Sequence, residues 1–306
     1  MIFDYLAKTM IIRPGDFRRK ESVIALLLLS PAVFLLILFV YYPALNTLPL
    51  SFFEYNLKMP LRKKFVGLNN YVKIFVLDKD FARSFTNTII FMAVTISLSM
   101  LVGLFFAIIL NEKFPGRGLV RSIVLLPWVI PPVVNGYMWQ WILDGQWGAL
   151  NGLLYQLGLI KDYIVWLANP TYSILWCAFV QAWRDAPFIT VILLAALQSI
   201  PIELIEASKV DGADAMRRFM YIVLPLLKPS LTIAFVIELI NSFMAFDIIY
   251  ALTGVDPATR TLMMYNYQVA FQFLEFGYGA ALSYVLFAIG LIFAYLYIKV
   301  IYGGGR

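Results

Sequence analysis

Histidine is absent from all 306 residues of the sequence. That absence removes histidine-ligated zinc, imidazole general bases and Ser-His-Asp triads in one step. Cysteine occurs once, at Cys177, so no intrachain disulfide can form. Charge is scarce, at 14% of residues against 62% hydrophobic, far more apolar surface than a water-soluble domain needs. No Gly-x4-Gly-Lys-Ser/Thr loop is present to cradle the phosphates of ATP, so this chain is expected not to be an ATPase. There is also no Gly-x-Ser-x-Gly elbow, which with the missing histidine argues against an intramembrane enzyme. Neither paired inverted halves nor a selectivity-filter motif is visible, as an ion-coupled carrier or a channel would show.

What is present is a succession of long uncharged runs. Mean hydropathy is +0.82. Segments near 22–45, 86–110, 122–143, 172–199, 229–252 and 279–298 are each long enough to span a bilayer, which takes about 20 residues. The first is too long for a signal-peptide core and no small-residue cleavage site follows it, so it reads as an uncleaved span. Pro31, Pro127, Pro131 and Pro132 fall inside spans, where neighbouring groups can satisfy the freed backbone. Aromatic residues make up 16% of the chain, and Trp139, Trp141 and Trp147 near a span end suit a membrane interface. The net charge of +6 reads as loop Lys and Arg in contact with a membrane surface, not as a nucleic-acid patch. Lys8, Arg13, Arg18, Arg19 and Lys20 precede the first span; Lys113, Arg117 and Arg121 follow the second; Lys209, Arg217, Arg218 and Lys228 follow the fourth. This bias predicts both termini in the cytoplasm. The first outer connection dissents, with Lys58, Arg62, Lys63, Lys64, Lys73, Lys79 and Arg83. The connection 144–171 holds a stretch, "WGALNGLLYQLGL", able to form an amphipathic surface helix.

One polar segment interrupts the apolar runs. "EASKVDGADAMRRFMYIVLP" extends from Glu206 to Pro225. Pro201 suits a first helical position and Glu203 a first turn, which predicts a short helix over 201–210. Asp211-Gly212 breaks it, because glycine reaches backbone angles closed to other residues. Asp214 can cap a second short helix and lies four residues before Arg218, a favourable pairing distance. Pro225 and Pro229 mark re-entry into the membrane. The segment predicts a stiff two-helix hairpin on the cytoplasmic side.

Glu206-Ala207-Ser208, Asp211-Gly212-Ala213, Phe219, Ile222 and Leu224-Pro225, with Pro229 beyond, resemble the EAA loop of ABC importer permeases. "LLAALQSIPIELIEAS" (193–208), "FVGLNNY" (65–71), "TNTIIF" (86–91) and "FDIIYALTGVDPATRTLMMYNYQVAF" (246–271) are similar to the carbohydrate-uptake, maltose-type branch. Ser208 stands where alanine is commoner, and "TGVDP" where the family often has Gly-Gly-Pro. The resemblance implies an all-α type I importer permease with six spans: an N-terminal arm (1–21), a transmembrane permease domain (22–302) holding the loop 201–225, and a tail (303–306). It implies that Glu206, Ala207, Ser208, Asp211, Gly212, Ala213, Arg217, Arg218, Leu224 and Pro225 couple to an ATPase. It further implies a second homologous permease, two ATP-binding cassette subunits that carry ATP and Mg, and an extracytoplasmic sugar-binding protein. This chain itself is expected to bind no cofactor and no metal.

Arg184, Asp185, Glu238, Asn241 and Asp247 fall within predicted spans. A charge at mid-bilayer costs about 2.5–3.5 kcal/mol on insertion scales, so each needs a cavity or a partner. Lining a substrate path, pairing structurally (Arg184 with Asp185 or Glu238) and contacting a partner permease are all compatible with them. Glu238 and Asn241 are about one turn apart and can face one way. The resemblance adds weight to the substrate path, and implies sugar contacts from Gln181, Trp183, Arg184, Asp185, Phe188, Glu238, Asn241 and Ser242.

Overall fold

The computed structural model describes residues 14–303, and the predictions made for residues 1–13 and 304–306 lie outside it. Helix dominates. The chain opens with α1 (Pro14–Leu36), continues through a π-helical turn (Ile37–Tyr41) and runs on as α2 (Tyr42–Leu50). Proline explains the turn. Pro43 brings no N–H and its ring would crowd the carbonyl four residues back, so the ladder widens and the Tyr42 N–H reaches the Ile37 carbonyl. Helical structure therefore begins within the expected N-terminal arm. From Ile24 to Val40 the large apolar side chains of this span are exposed, as a lipid-facing surface requires.

The connection between the first and second spans is folded. A two-residue ribbon pairs β1 (Phe53–Glu54) with β2 (Lys64–Phe65) antiparallel, and α3 (Asn69–Val72) follows. Asn70 donates to the carbonyls of Ser51 and Phe53 at 2.8 and 3.0 Å, which fixes the ribbon against α3.

Two long helices form the scaffold. They are α4 (Lys79–Asn111) and, after the connection, α8 (Pro170–Gln198). They run side by side in the same direction, with Thr95 donating to the Ala178 carbonyl at 3.3 Å and Gly103 lying against Ala186 and Ile189. Small residues are buried along both helices, Ser99, Gly103 and Ala107 on α4 and Ala178, Ala182 and Ala186 on α8. Without a hydrophobic drive inside lipid, this close approach supplies the packing. A Cβ at position 103 would come within 2.6 Å of Ile189 Cγ2, so the crossing requires glycine there.

The predicted third span, 122–143, is not one rod. It is α5 (Arg117–Val129) and α6 (Pro132–Ile142), bent by 97° at Ile130-Pro131. A residue before proline is pushed out of the helical region, and Ile130 sits at φ −68°, ψ 130°. Pro131 and Pro132 then complete the break. The surface helix expected in the next connection is α7 (Ala149–Gln156).

Past α8 come α9 (Ile202–Val210), α10 (Ala215–Arg218), a π-helical turn (Phe219–Val223) and α11 (Leu224–Phe243). Residues Ala215–Phe243 form one spanning helix. The second short helix of the predicted hairpin is thus the start of a span. Pro225 lies inside this spanning helix and does not start it: it follows a π-helical turn, in which the Leu224 N–H reaches the Phe219 carbonyl, as at Pro43. The predicted fifth span, 229–252, also ends early. The chain breaks at Met244–Phe246, and α12 (Asp247–Thr253) is separate. It packs on α6, where Gly136 lets the two backbones approach: a Cβ there would meet that of Ala251 at 2.5 Å. The chain ends with α13 (Leu262–Tyr267), a π-helical turn (Gln268–Gln272) and α14 (Phe276–Gly303). Among the described residues, five helices are long and apolar enough to cross a membrane, or six with the bent pair counted as one span.

Candidate functional site: a polar cavity and a charged hairpin

At the hairpin, local hydrogen bonding dictates the shape. Gly212 has φ +79°. The Ala213 N–H reaches back to the Ser208 carbonyl at 3.0 Å and the Gly212 N–H to the Lys209 carbonyl at 3.1 Å. These are the two bonds of a Schellman turn, which ends α9 and satisfies its last carbonyls. Asp214 then caps the next helix through the Arg217 N–H at 2.7 Å. The expected Asp214–Arg218 pair does not form. Asp214 lies 3.7 Å from Arg217 instead, and Arg218 donates to the Ala213 carbonyl at 2.9 Å, bracing the turn. Pro201 precedes the first helical residue and so stands one position earlier than expected.

Glu206, Ala207, Asp211, Gly212 and Arg217 are exposed. Ser208 is buried, with its hydroxyl on the Ile205 carbonyl, and Ala213 is half-buried. Leu224 and Pro225 lie beyond the π-helical turn, away from the tip. Large apolar side chains flank the charged tip in full view of solvent: Val210 is 88% exposed and Met216 68%. An apolar surface of this kind, rimmed with charge, is what a protein partner covers.

The second feature lies between α5, α8 and the α11–α12 break. A cavity of about 320 Å³ opens there, within the range of small-molecule sites. Gln181, Arg184, Asp185, Phe188 and Asn241 all line it, as expected for a shared path. Arg184 Nη1 donates to Asp185 Oδ1 at 2.7 Å, and Gln181 Nε2 to Asp185 Oδ2 at 2.6 Å. Structural pairing and cavity lining therefore coexist in the same residues. The other wall carries Trp128 stacked on Phe188, with ring centres 5.4 Å apart and 16° between planes.

Three expected residues lie elsewhere. Glu238 is 1% exposed and accepts from Ser99 of α4 at 3.0 Å. It therefore points away from Asn241, contrary to the one-face expectation, because α4 supplies a buried hydroxyl on that side. The Ser242 hydroxyl bonds the Glu238 carbonyl at 2.7 Å. Trp183 belongs to an edge-to-face aromatic series with Trp139 and Phe179. Trp128 was not singled out from the sequence; its position just ahead of the Pro131-Pro132 break is the signal that could have found it.

A third cluster, at the end of the molecule remote from the hairpin, was also missed. Arg260, 4% exposed, donates to Asp80 and to Gln268 Oε1, both at 2.6 Å. Tyr265 and Tyr278 both donate to Asp78 Oδ2. Burial together with Asp78 pushes the Tyr265 hydroxyl above its ordinary range, so it remains a donor. Asn87 donates to the Pro257 and Arg260 carbonyls. The "TGVDP" segment is thereby tied to the start of α4.

A multi-span helical permease with a charged two-helix hairpin and a polar cavity among its spans is the class these features define. The family model described as "Binding-protein-dependent transport system inner membrane component" matches residues 99–302. The chain belongs to this family, and is a permease subunit of an ABC importer rather than an ion-coupled carrier or channel. It is 35% identical to the trehalose/maltose transport system permease protein MalF of Thermococcus litoralis, over 94% of this chain and 96% of that one. Identity is also 35% to the sulfoquinovosyl glycerol transport system permease protein SmoG of Agrobacterium fabrum, over 92% and 91%. For the trehalose permease SugA of Mycobacterium tuberculosis it is 32%, over 96% and 93%. In fold the chain is similar to a chain of a bacterial alginate ABC transporter solved in complex with its alginate-pentasaccharide-bound periplasmic protein. The TM-score is 0.79 at 22% identity, over 94% of this chain and 98% of that one.

Proposed function

We propose that this chain is one permease of a heterodimeric, ATP-driven importer of a sugar or oligosaccharide in the cytoplasmic membrane, with both termini in the cytoplasm. The cavity is the observation that carries the sugar reading. Its wall offers two ring faces, an amide pair and a fixed carboxylate, and sugars need apolar faces for C–H surfaces and hydrogen-bonding groups for hydroxyls. The relatives transporting trehalose, maltose and sulfoquinovosyl glycerol support the same reading. A second permease completes the path from the open side. Two ATPase subunits, which hold ATP and Mg, receive the hairpin around Glu206–Arg218, and an extracytoplasmic binding protein delivers the sugar.

Tagged chain co-expressed with its genomic neighbours tests this directly. An ATPase and a second permease are expected to co-purify, and binding-protein-dependent sugar uptake is expected in vesicles. Sugar uptake by this chain alone, driven by an ion gradient, would overturn the reading.

A further inference from the structure

Three charged side chains line the cavity: Arg184, Asp185 and Asp247. Taken alone, Arg184 would invite an anionic sugar. It is not alone. Asp185 Oδ1 is held by Arg184 and Oδ2 by Gln181, so both carboxylate oxygens are engaged and the group cannot swing aside. Asp185 is 4% exposed while Arg184 retains 21%, so the pair faces the cavity through its cationic partner with the anion locked behind it. Asp247 is exposed at the same wall and has no cation among the cavity-lining residues beyond Arg184. The wall is therefore neutral at the pair and net negative overall when both carboxylates are ionised. The remaining surface, Trp128 stacked on Phe188 with Asn241 opposite, carries no formal charge.

We propose that the Arg184–Asp185 pair, with Asp247, sets this cavity for uncharged sugars and excludes anionic ones. Asp185 is the specificity-determining residue: it cancels the one cation an acidic sugar would need. This rests on the reading of the cavity as part of a sugar path. The magnitude follows from charge proximity. An unpaired charge within about 4–6 Å shifts a neighbouring ionic equilibrium by roughly 1–3 pKa units, each tenfold. Discrimination of at least ~10-fold between otherwise similar sugars is expected.

Saturation-transfer NMR on the detergent-purified complex, without binding protein, tests the proposal. The probes are maltose and trehalose as neutral sugars and digalacturonic acid as the anionic one. Trp128→Ala identifies signal that arises at this cavity. The expected result is Trp128-dependent binding of a neutral probe, with digalacturonic acid at least ~10-fold weaker. Asp185→Asn should raise digalacturonic acid binding about tenfold, and Arg184→Gln should not. If Asp185→Asn does not fold, Asp247→Asn, at an exposed position, should shift selectivity the same way by a smaller factor. Trp128-dependent binding of digalacturonic acid as tight as that of the neutral sugars would overturn the charge selection and leave the sugar path intact. No Trp128-dependent signal from any probe would overturn both.

Discussion

Substitution of Gly212 separates backbone geometry from contact chemistry. The residue has φ +79°, and a Cβ built there meets nothing within 4 Å. Steric crowding from neighbours is therefore absent, and the whole penalty is the left-handed backbone. For an L-residue that penalty is about 1–2 kcal/mol, a factor of roughly 5–30 in the population of the turn. Gly212→Ala should show it, Gly212→Val somewhat more, and Gly212→Asn less, because a short polar side chain tolerates this region. Gly212→Pro should be the most severe. It fixes φ near −65° and removes the N–H that bonds the Lys209 carbonyl. Hydrogen exchange at Ala213, whose N–H reaches Ser208, reads the turn directly. Retention of the ATPase on the tagged chain reads its docking. Exchange at Ala213 should accelerate in the order Asn, Ala, Val, and ATPase retention should fall in parallel. Gly212→Pro should abolish ATP-coupled uptake while binding-protein recognition persists. Unchanged exchange and unchanged ATPase retention in Gly212→Val would refute the reasoning.

Three further outcomes follow from the packing. Asp214→Ala removes the cap on the Arg217 N–H and should cost about 0.5–2 kcal/mol locally, visible as faster exchange at Arg217. Asp80→Asn should destabilise more than Arg260→Met in thermal unfolding of the solubilised chain. The Arg260 side chain is 5% exposed and would be left buried without its anion, at a cost of up to about 3–5 kcal/mol, whereas Asp80 is 60% exposed and can be rehydrated. Gly103→Val should lower thermal stability by about 1–3 kcal/mol, because even a Cβ there collides with Ile189 and the Ala186 carbonyl. An unchanged melting temperature would contradict the tight α4–α8 crossing.

The hairpin was legible in the sequence because its determinants are local. A glycine after a short helix and an aspartate before the next one specify turn and cap within a few residues. The spans were legible from apolar length, but where they break was not. Pro131 and Pro132 announce a weak point, while the 97° bend depends on what the two halves pack against. The direction of Glu238 was set by Ser99, 139 residues away. The Arg260 cluster joins partners 180 residues apart, and nothing in the spacing of Asp80 hints at it. Gln181, Arg184, Asp185 and Phe188 came together as expected because successive turns of a single helix carry them on one face, and helical periodicity needs no tertiary information.

The unbroken helix Ala215–Phe243 has a mechanical consequence. Arg217 stands at one end, in the hairpin, and Asn241 at the other, in the cavity wall; at 1.5 Å per residue the two are about 36 Å apart. Leu227 and Ala234, packed into the inner core between them, supply a fulcrum. The rod is then a lever with arms of similar length. A tilt of about 10° would carry each end roughly 3 Å, in opposite directions. A push delivered at the hairpin would thus reach the cavity reversed in sign and nearly undiminished, with no relay of side-chain movements in between.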